Sequence, residues 1–316
     1  MKYPDSSSTS VAEAAVLSAP TTGPVRCLQT LGHELGEGLL WSVREQALYG
    51  VDILRCELHR FDPVSGTHRH WVFDEEISAL AERAHGPGLI VILRRGFALF
   101  DPAADTAPRY LHQPEPDRPG NRFNDGKCDA QGRFWAGSMD FACEAPTGAL
   151  YRYDADGRCT RHDDGFAVTN GPTWSGTGQG TAMFFNATIE GSTFRYDSDP
   201  ATGAVSNKTL WKHWLPADGL PDGMTTDAQG RLWIAHWGGW SVTCHDPVTA
   251  AELGRVTLPV SQVTTCAFGG ADLRTLFITS ARVGLTPEQL AAEPLAGALF
   301  AVDTDSLGVP AHLFGG

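Results

Sequence analysis

The sequence is poor in charge, in long apolar runs and in the local motifs that mark most enzyme classes. Charged residues are 19% of its 316 residues, below the ~25% usual for a globular domain. Basic residues are the minority: 24 Lys and Arg face 37 Asp and Glu, a formal charge of −13. That excludes the basic footprint expected of a nucleic-acid binder. No apolar run approaches the ~20 residues that span a bilayer. Seven cysteines (27, 56, 128, 143, 159, 244 and 266) are scattered, with no Cys-x-x-Cys pair. This pattern points to reduced thiols in a cytosolic protein rather than to disulfides or a thiolate metal site. There is no Gly-x-Ser-x-Gly nucleophile elbow; around Ser175, in Trp174-Ser175-Gly176-Thr177-Gly178, the glycine positions are not met. No His-Glu-x-x-His motif and no phosphate-binding Gly-x-x-x-x-Gly-Lys-Ser/Thr loop occurs. The 11 histidines are dispersed, and His59, His68 and His70 sit beside expected turns and read as solvated.

Turn formers and aromatics are plentiful. The chain holds 35 glycines, 20 prolines, 15 Phe and 9 Trp. A disordered chain has fewer aromatics and more charge, and a helical bundle does not tolerate so many breakers. Many turns and many aromatics point to an all-β architecture of short strands. Residues 1–23, rich in Ser, Ala and Thr, have their apolar part interrupted by Glu13 and make a poor signal peptide. They are expected to form a disordered or surface extension.

Two patterns repeat along the remainder. The first is a short apolar strand: Ala47–Val51, Leu89–Leu93, Arg133–Gly137, Ala182–Phe185, Arg231–Ala235 and Thr275–Ile278. Its markers Tyr49, Val91, Trp135, Phe184, Trp233 and Phe277 are 42, 44, 49, 49 and 44 residues apart. The second follows each strand and ends in Asp at a turn: Phe61-Asp62-Pro63, Phe100-Asp101-Pro102, Tyr153-Asp154-Ala155, Tyr196-Asp197-Ser198, His245-Asp246-Pro247 and Val302-Asp303-Thr304. Six copies at a step of about 46 residues predict a six-bladed β-propeller with four-stranded blades. The Gly-His and Trp-Asp signature of WD40 blades is absent. A strand at Val25–Leu31 is expected to close the ring by completing the last blade, which removes an exposed edge. Residues 24–316 then form one domain.

Four of the segments preceding the marker strands carry polar groups in similar register. Glu37 lies 12 residues before Tyr49, Asn124 lies 11 before Trp135, Asn170 lies 14 before Phe184 and Asp222 lies 11 before Trp233. Equivalent positions in a rotationally repeated fold converge on the axis. Two carboxylates and amide carbonyls make a hard-oxygen site suited to Ca²⁺, Mg²⁺ or Mn²⁺, with Zn²⁺ also compatible. Taken singly, each Asn-Gly or Asp-Gly is also an ordinary turn dipeptide; the shared register favours a site.

The motifs Gly36-Glu37-Gly38-Leu39-Leu40-Trp41, Asn121-Arg122-Phe123-Asn124-Asp125-Gly126-Lys127, Asn170-Gly171-Pro172 and Pro221-Asp222-Gly223-Met224 resemble those of the SMP-30/gluconolactonase/regucalcin-like family. The resemblance runs over about residues 30–316. His236-Trp237-Gly238-Gly239-Trp240 and Cys266-Ala267-Phe268-Gly269-Gly270 look most like bacterial sugar-acid lactonases. The resemblance implies one divalent metal on the axis (Ca, Zn, Mn, Mg or Fe) held by Glu37, Asn170 and Asp222. It implies Arg122 and Asn124 as substrate-binding residues and Asp222 also as general base. The family often carries a substrate-orienting glutamate shortly after Gly137-Ser138-Met139. Ala142 stands there, which leaves Asp140 and Glu144 as substitutes, and Trp237 is a candidate pocket wall. A second departure is Asn186-Ala187-Thr188, where the family usually has an Asp-Ser or Asp-Thr pair.

The function implied is metal-dependent hydrolysis of a pentono- or hexonolactone in the cytoplasm, acting on a small sugar with no nucleic-acid, membrane or obligate protein partner. The alternatives are a phosphotriesterase or aryl-esterase of the same propeller type, which would favour a more apolar pocket, and a non-catalytic calcium-binding regulator, which would not require Arg122 and Asn124.

Overall fold

The computed structural model describes residues 17–104, 106–176 and 181–316. Among these residues the chain forms six four-stranded antiparallel sheets. Blade one contains β2 (Gly36–Ser42), β3 (Ala47–Asp52), β4 (Glu57–Phe61) and β5 (His68–Val72), preceded in the chain by β1 (Arg26–Gln29). Blade two contains β6 (Ile77–Glu82), β7 (Leu89–Leu93), β8 (Gly96–Phe100) and β9 (Arg109–His112). Blade three contains β10 (Asn121–Cys128), β11 (Phe134–Asp140), β12 (Gly148–Tyr153) and β13 (Cys159–Phe166). Blade four contains β14 (Thr169–Gly176), β15 (Thr181–Ala187), β16 (Ser192–Ser198) and β17 (Val205–His213). Blade five contains β18 (Leu220–Thr226), β19 (Leu232–Trp237), β20 (Ser241–His245) and β21 (Glu252–Thr257). Blade six contains β22 (Val263–Gly269), β23 (Thr275–Ser280) and β24 (Leu299–Asp303), with β1 as its outermost strand. The short helix α1 (Pro287–Ala292) lies between β23 and β24.

The repeated apolar strands are the second strands of the blades. They are buried on both faces because each blade is sandwiched between two others; all of Leu89–Leu93 is buried. Outer strands meet water, and Ser206–Leu210 of β17 are exposed. In four blades the recurrent aspartate (Asp62, Asp101, Asp154, Asp246) stands at the turn between third and fourth strands. Asp197 instead lies within β16, where Asp199 takes the turn position, and Asp303 ends β24, whose outer partner β1 comes from the N-terminal segment. Asp62 Oδ1 accepts from Val64 N at 2.9 Å and Asp246 Oδ1 from Val248 N at 2.8 Å, each a side chain replacing a backbone turn bond.

Ring closure uses the N-terminal segment: Arg26 pairs with Ala301 and Cys27 with Phe300. Of the expected extension, residues 1–16 lie outside the described residues. Residues just after them lie against blades five and six: Arg231 Nη1 donates to Ser18 O at 2.8 Å, and Gly23 N donates to Asp303 O at 2.8 Å.

The expectation that His59, His68 and His70 are solvated fails for His59, which is buried at 7% exposure. Its ring meets His33 in a tilted contact at a centroid distance of 4.6 Å and stacks with His68 and His70 at 5.1 and 5.9 Å. Facing positions on β4 and β5 bring His59 opposite His70, a pairing that local turn signals do not reveal.

Candidate active site

Each of the six innermost strands breaks register once, and in four of them the break falls at the polar motif. The shifts lie between Glu37 and Leu40, Phe123 and Gly126, Asn170 and Thr173, and Pro221 and Met224. Such bulges re-aim a side chain out of the normal alternation. Glycine has a definite task at two of them: Gly38 has φ +59° and Gly171 has φ +87°, left-handed conformations that other residues adopt at a cost.

The sequence-expected residues Glu37, Arg122, Asn124, Asn170 and Asp222 are all buried. Arg122 Nη1 donates to Asn124 Oδ1 at 2.6 Å and to Phe123 O at 3.0 Å. Asn124 Nδ2 donates to Thr169 O at 2.7 Å and to Asn170 Oδ1 at 3.1 Å. Asn170 Nδ2 donates to Thr188 Oγ1 at 2.9 Å, and the Thr188 hydroxyl donates to Pro221 O at 2.8 Å. One hydrogen-bonded chain therefore runs from Arg122 in blade three to the residue before Asp222 in blade five.

Glu37 and Asp222 belong to the same electrostatic cluster. Burial, then the Asp222 and Asp125 charges, push the Glu37 carboxyl well above the ordinary range, against weaker opposition from Gly38 N–H and Arg122. Asp222 is likewise pushed well up by burial and by Asp125, with Gly223 N–H and Arg122 opposing. Buried like charges with so little compensation are costly unless a cation joins them. The oxygens of Glu37, Asp222 and Asn170 are hard donors that fit a divalent ion. Among the described residues, no group of three or more His, Cys, Asp or Glu side chains gathers as a metal centre. The candidate set here is instead two carboxylates and an amide.

The other expected residues stand apart from this cluster. Asp140 ends β11, and its Oδ2 accepts from Glu144 N at 3.0 Å and Ala145 N at 2.9 Å, so its carboxylate anchors its own loop. Glu144 on that loop is exposed. The loop nevertheless lies against the site, because the guanidinium carbons of Arg94 and Arg122 lie 5.0 and 5.8 Å from the centre of the Phe141 ring. Trp237 is half-buried at the end of β19, opposite Leu220.

Asn186 and Thr188, seen in the sequence only as a departure, are buried structural members of the site. Asn186 Nδ2 donates to Asp222 O at 2.6 Å and its Oδ1 accepts from the Thr193 hydroxyl at 2.6 Å. An aspartate in the same place could not donate to that carbonyl. Sequence reasoning missed Asp125 and Lys127, both inside a quoted motif. Asp125-Gly126 reads as a turn, and a lysine within a strand carries no signal of its contacts.

Fold and site together define a six-bladed propeller whose inner strands converge on an acidic, arginine-bearing cluster. A family model described as the SMP-30/Gluconolactonase/LRE-like region matches residues 35–282. The chain belongs to that family. It is 37% identical over 282 residues to the putative sugar lactone lactonase YvrE of Bacillus subtilis, covering 89% of this chain and 95% of that protein. It is 35% identical over 292 residues to 6-deoxy-6-sulfogluconolactonase of Pseudomonas putida, covering 92% and 99%. Among solved structures it is similar to a calcium-binding regucalcin from Agrobacterium tumefaciens, with TM-score 0.87, 26% identity, and coverage of 95% and 99%.

Proposed function

We propose that this protein hydrolyses a sugar lactone, a pentono- or hexonolactone, to its aldonic acid with a divalent cation held by Glu37, Asn170 and Asp222. The observation that carries this reading is the convergence of four blades on one cluster containing both the hard-oxygen donors and the Arg122–Asn124 pair. Relatives named as lactonases over nearly their whole length support it.

A divalent cation at these donors supplies Lewis acidity toward a lactone carbonyl. Asp222 is the general base of the proposal: it takes a proton from water as the water oxygen bonds to the carbonyl carbon. The ring C–O bond then breaks, and that proton passes to the departing ring oxygen, so water and lactone yield one hydroxy acid. Arg122 stays protonated and cannot be the base. Its N–H groups beyond those bound to Asn124 and Phe123 are suited to the carbonyl oxygen and its developing negative charge. Asn124 already spends its amide N–H groups on Thr169 and Asn170. Its task is therefore to hold Arg122 against Asn170, leaving a free lone pair on Oδ1 for a ring hydroxyl. Trp237 and the Asp140–Glu144 loop serve as walls of the pocket. All seven cysteines are unpaired, in keeping with a cytoplasmic setting.

A panel of xylono-, arabinono-, galactono- and gluconolactone, assayed for acid release with and without added metals, tests the proposal. Hydrolysis that depends on metal and vanishes in a folded Asp222→Ala variant supports it. Aryl-ester turnover without lactone turnover would overturn it. Stoichiometric Ca²⁺ binding without any hydrolysis would favour a regulator.

A further inference from the structure

Resting on the proposed metal-dependent reading, we propose that Asp125 and Lys127 are a staple that positions two ligands of the metal site. Both lie on β10, two residues apart; Asp125 reaches the adjacent blade four, and Lys127 reaches past it to blade five. Asp125 Oδ2 accepts from Gly171 N at 2.8 Å, the residue immediately after Asn170. Its other oxygen accepts from Gly126 N at 2.7 Å, which fixes the carboxylate plane. Lys127 Nζ donates to Met224 O at 2.6 Å, two residues after Asp222.

One inner strand thus grips the backbone of blade four beside one ligand and of blade five beside another. The grip falls inside one bulge, at Gly171, and at Met224, where the ladder resumes after the other. At Asn170–Thr173 and Pro221–Met224 the ladder to the blade's own second strand is interrupted. The backbone there takes its support from across the blade boundary. Burial pushes the Asp125 carboxyl up and the Lys127 ammonium down, and each end of the staple partly offsets the other's cost, Lys127 acting to lower Asp125 and Asp125 to raise Lys127. An isolated charge at either place would be costly to bury. Neither residue belongs to the proposed ligand set. Lys127 acts only through the backbone beside Asp222, whereas Asp125 holds the backbone beside Asn170 and also bears on Glu37 and Asp222 by its charge. Lys127→Met, which removes a positive charge, is therefore the variant in which a weakened cation site reports positioning. Partners that orient metal ligands typically carry 10–100-fold of metal affinity.

Lys127→Met removes the donor and keeps the stem length, and a cavity of about 60 Å³ beside Lys127 leaves room for the new side chain. Asp125→Asn replaces a two-fold acceptor by one acceptor and one donor. Asp129→Asn is the control: it weakens a buried pair with Arg133 at 2.6 Å, which is tied to no proposed ligand.

The full chain and these variants are titrated with Mn²⁺, read by electron paramagnetic resonance, with thermal unfolding measured in parallel. The expected result is a Kd raised about 10-fold or more in both staple variants. The control loses thermal stability but keeps the wild-type Kd. A Kd within twofold of wild type in folded Lys127→Met and Asp125→Asn overturns the staple. A Kd raised equally in Asp129→Asn also overturns it, because affinity would then follow general stability. If neither staple variant folds, the pair is a folding element and the positioning role is rejected. A wild-type chain that binds no Mn²⁺, Ca²⁺ or Zn²⁺ refutes the metal-dependent reading itself, a result distinguishable from the others.

Discussion

The buried histidine group on blade one makes acid the weak side of this protein. Desolvation lowers His33 to about 4, with Asp52 opposing and Arg55 and His68 assisting. His59 is lowered to about 3, first by desolvation and then by His33, His68, His70 and Arg55. Glu57 also faces the group, its Oε2 lying 3.1 Å from His59 Nε2. A depressed histidine means that the unfolded chain binds more protons than the folded one below its own pKa of ~6.5, so acid favours unfolding. Stability is full above that value and is lost as pH falls towards 4 and 3. Between pH 7 and pH 5 each such histidine removes about 2 kcal/mol, a figure insensitive to its folded pKa once that lies below 5. Replacing His59 by Phe keeps an aromatic ring in the stack and removes one titration. The assay is urea unfolding of both proteins at pH 7 and pH 5. The wild type should lose about 2 kcal/mol more than His59→Phe over this interval. Equal losses would refute the burial argument. Subtraction of the variant matters because Glu37 and Asp222, shifted upward, change stability with the opposite sign.

Those two carboxylates supply the next prediction. A carboxyl raised in the folded state contributes stability below its unfolded pKa and loses it as pH rises through the folded value. Metal-free protein at pH 7 therefore carries a deficit, and Asp222→Asn should raise its thermal midpoint above that of metal-free wild type in a scanning-fluorimetry measurement. A lower midpoint would show that repulsion there is negligible. A third prediction concerns two turns of identical sequence, residues 129–133 and 227–231. Asp227 binds Arg231 Nε at 2.7 Å and Trp233 Nε1 at 2.9 Å, and Asp129 binds Arg133 Nε at 2.6 Å and Trp135 Nε1 at 3.0 Å. Arg231 is 3% exposed and Arg133 13%, so Asp227→Ala strands the more deeply buried cation. It should cost about 3–5 kcal/mol in chemical denaturation, and Asp129→Ala less.

The architecture was legible because each blade repeats a doubly buried strand and an Asp-bearing turn. Runs such as Leu89–Leu93 announce themselves by composition, and their spacing reveals the ring. Glu37, Asn170 and Asp222 were legible as polar residues beside glycine, and Asn124 as one two residues before glycine, in a similar register; the bulges explain the left-handed Gly38 and Gly171. Asp125 and Lys127 were not, because their partners are backbone groups in other blades, 46 and 97 residues away. His59 was misjudged for the same reason: its burial depends on β5 and on the loop carrying His33. Asp140 and Glu144 show the reverse limit. A carboxylate in a suggestive sequence position can be occupied by its own loop.

The most direct test of the account is the rate of acid release from sugar lactones by the purified protein, first stripped of metal and then reloaded, compared with folded Asp222→Ala. The account predicts turnover of at least one pentono- or hexonolactone that falls on chelation, returns with a divalent cation and is absent in the variant. Lactone hydrolysis unaffected by chelation and retained by Asp222→Ala would contradict it.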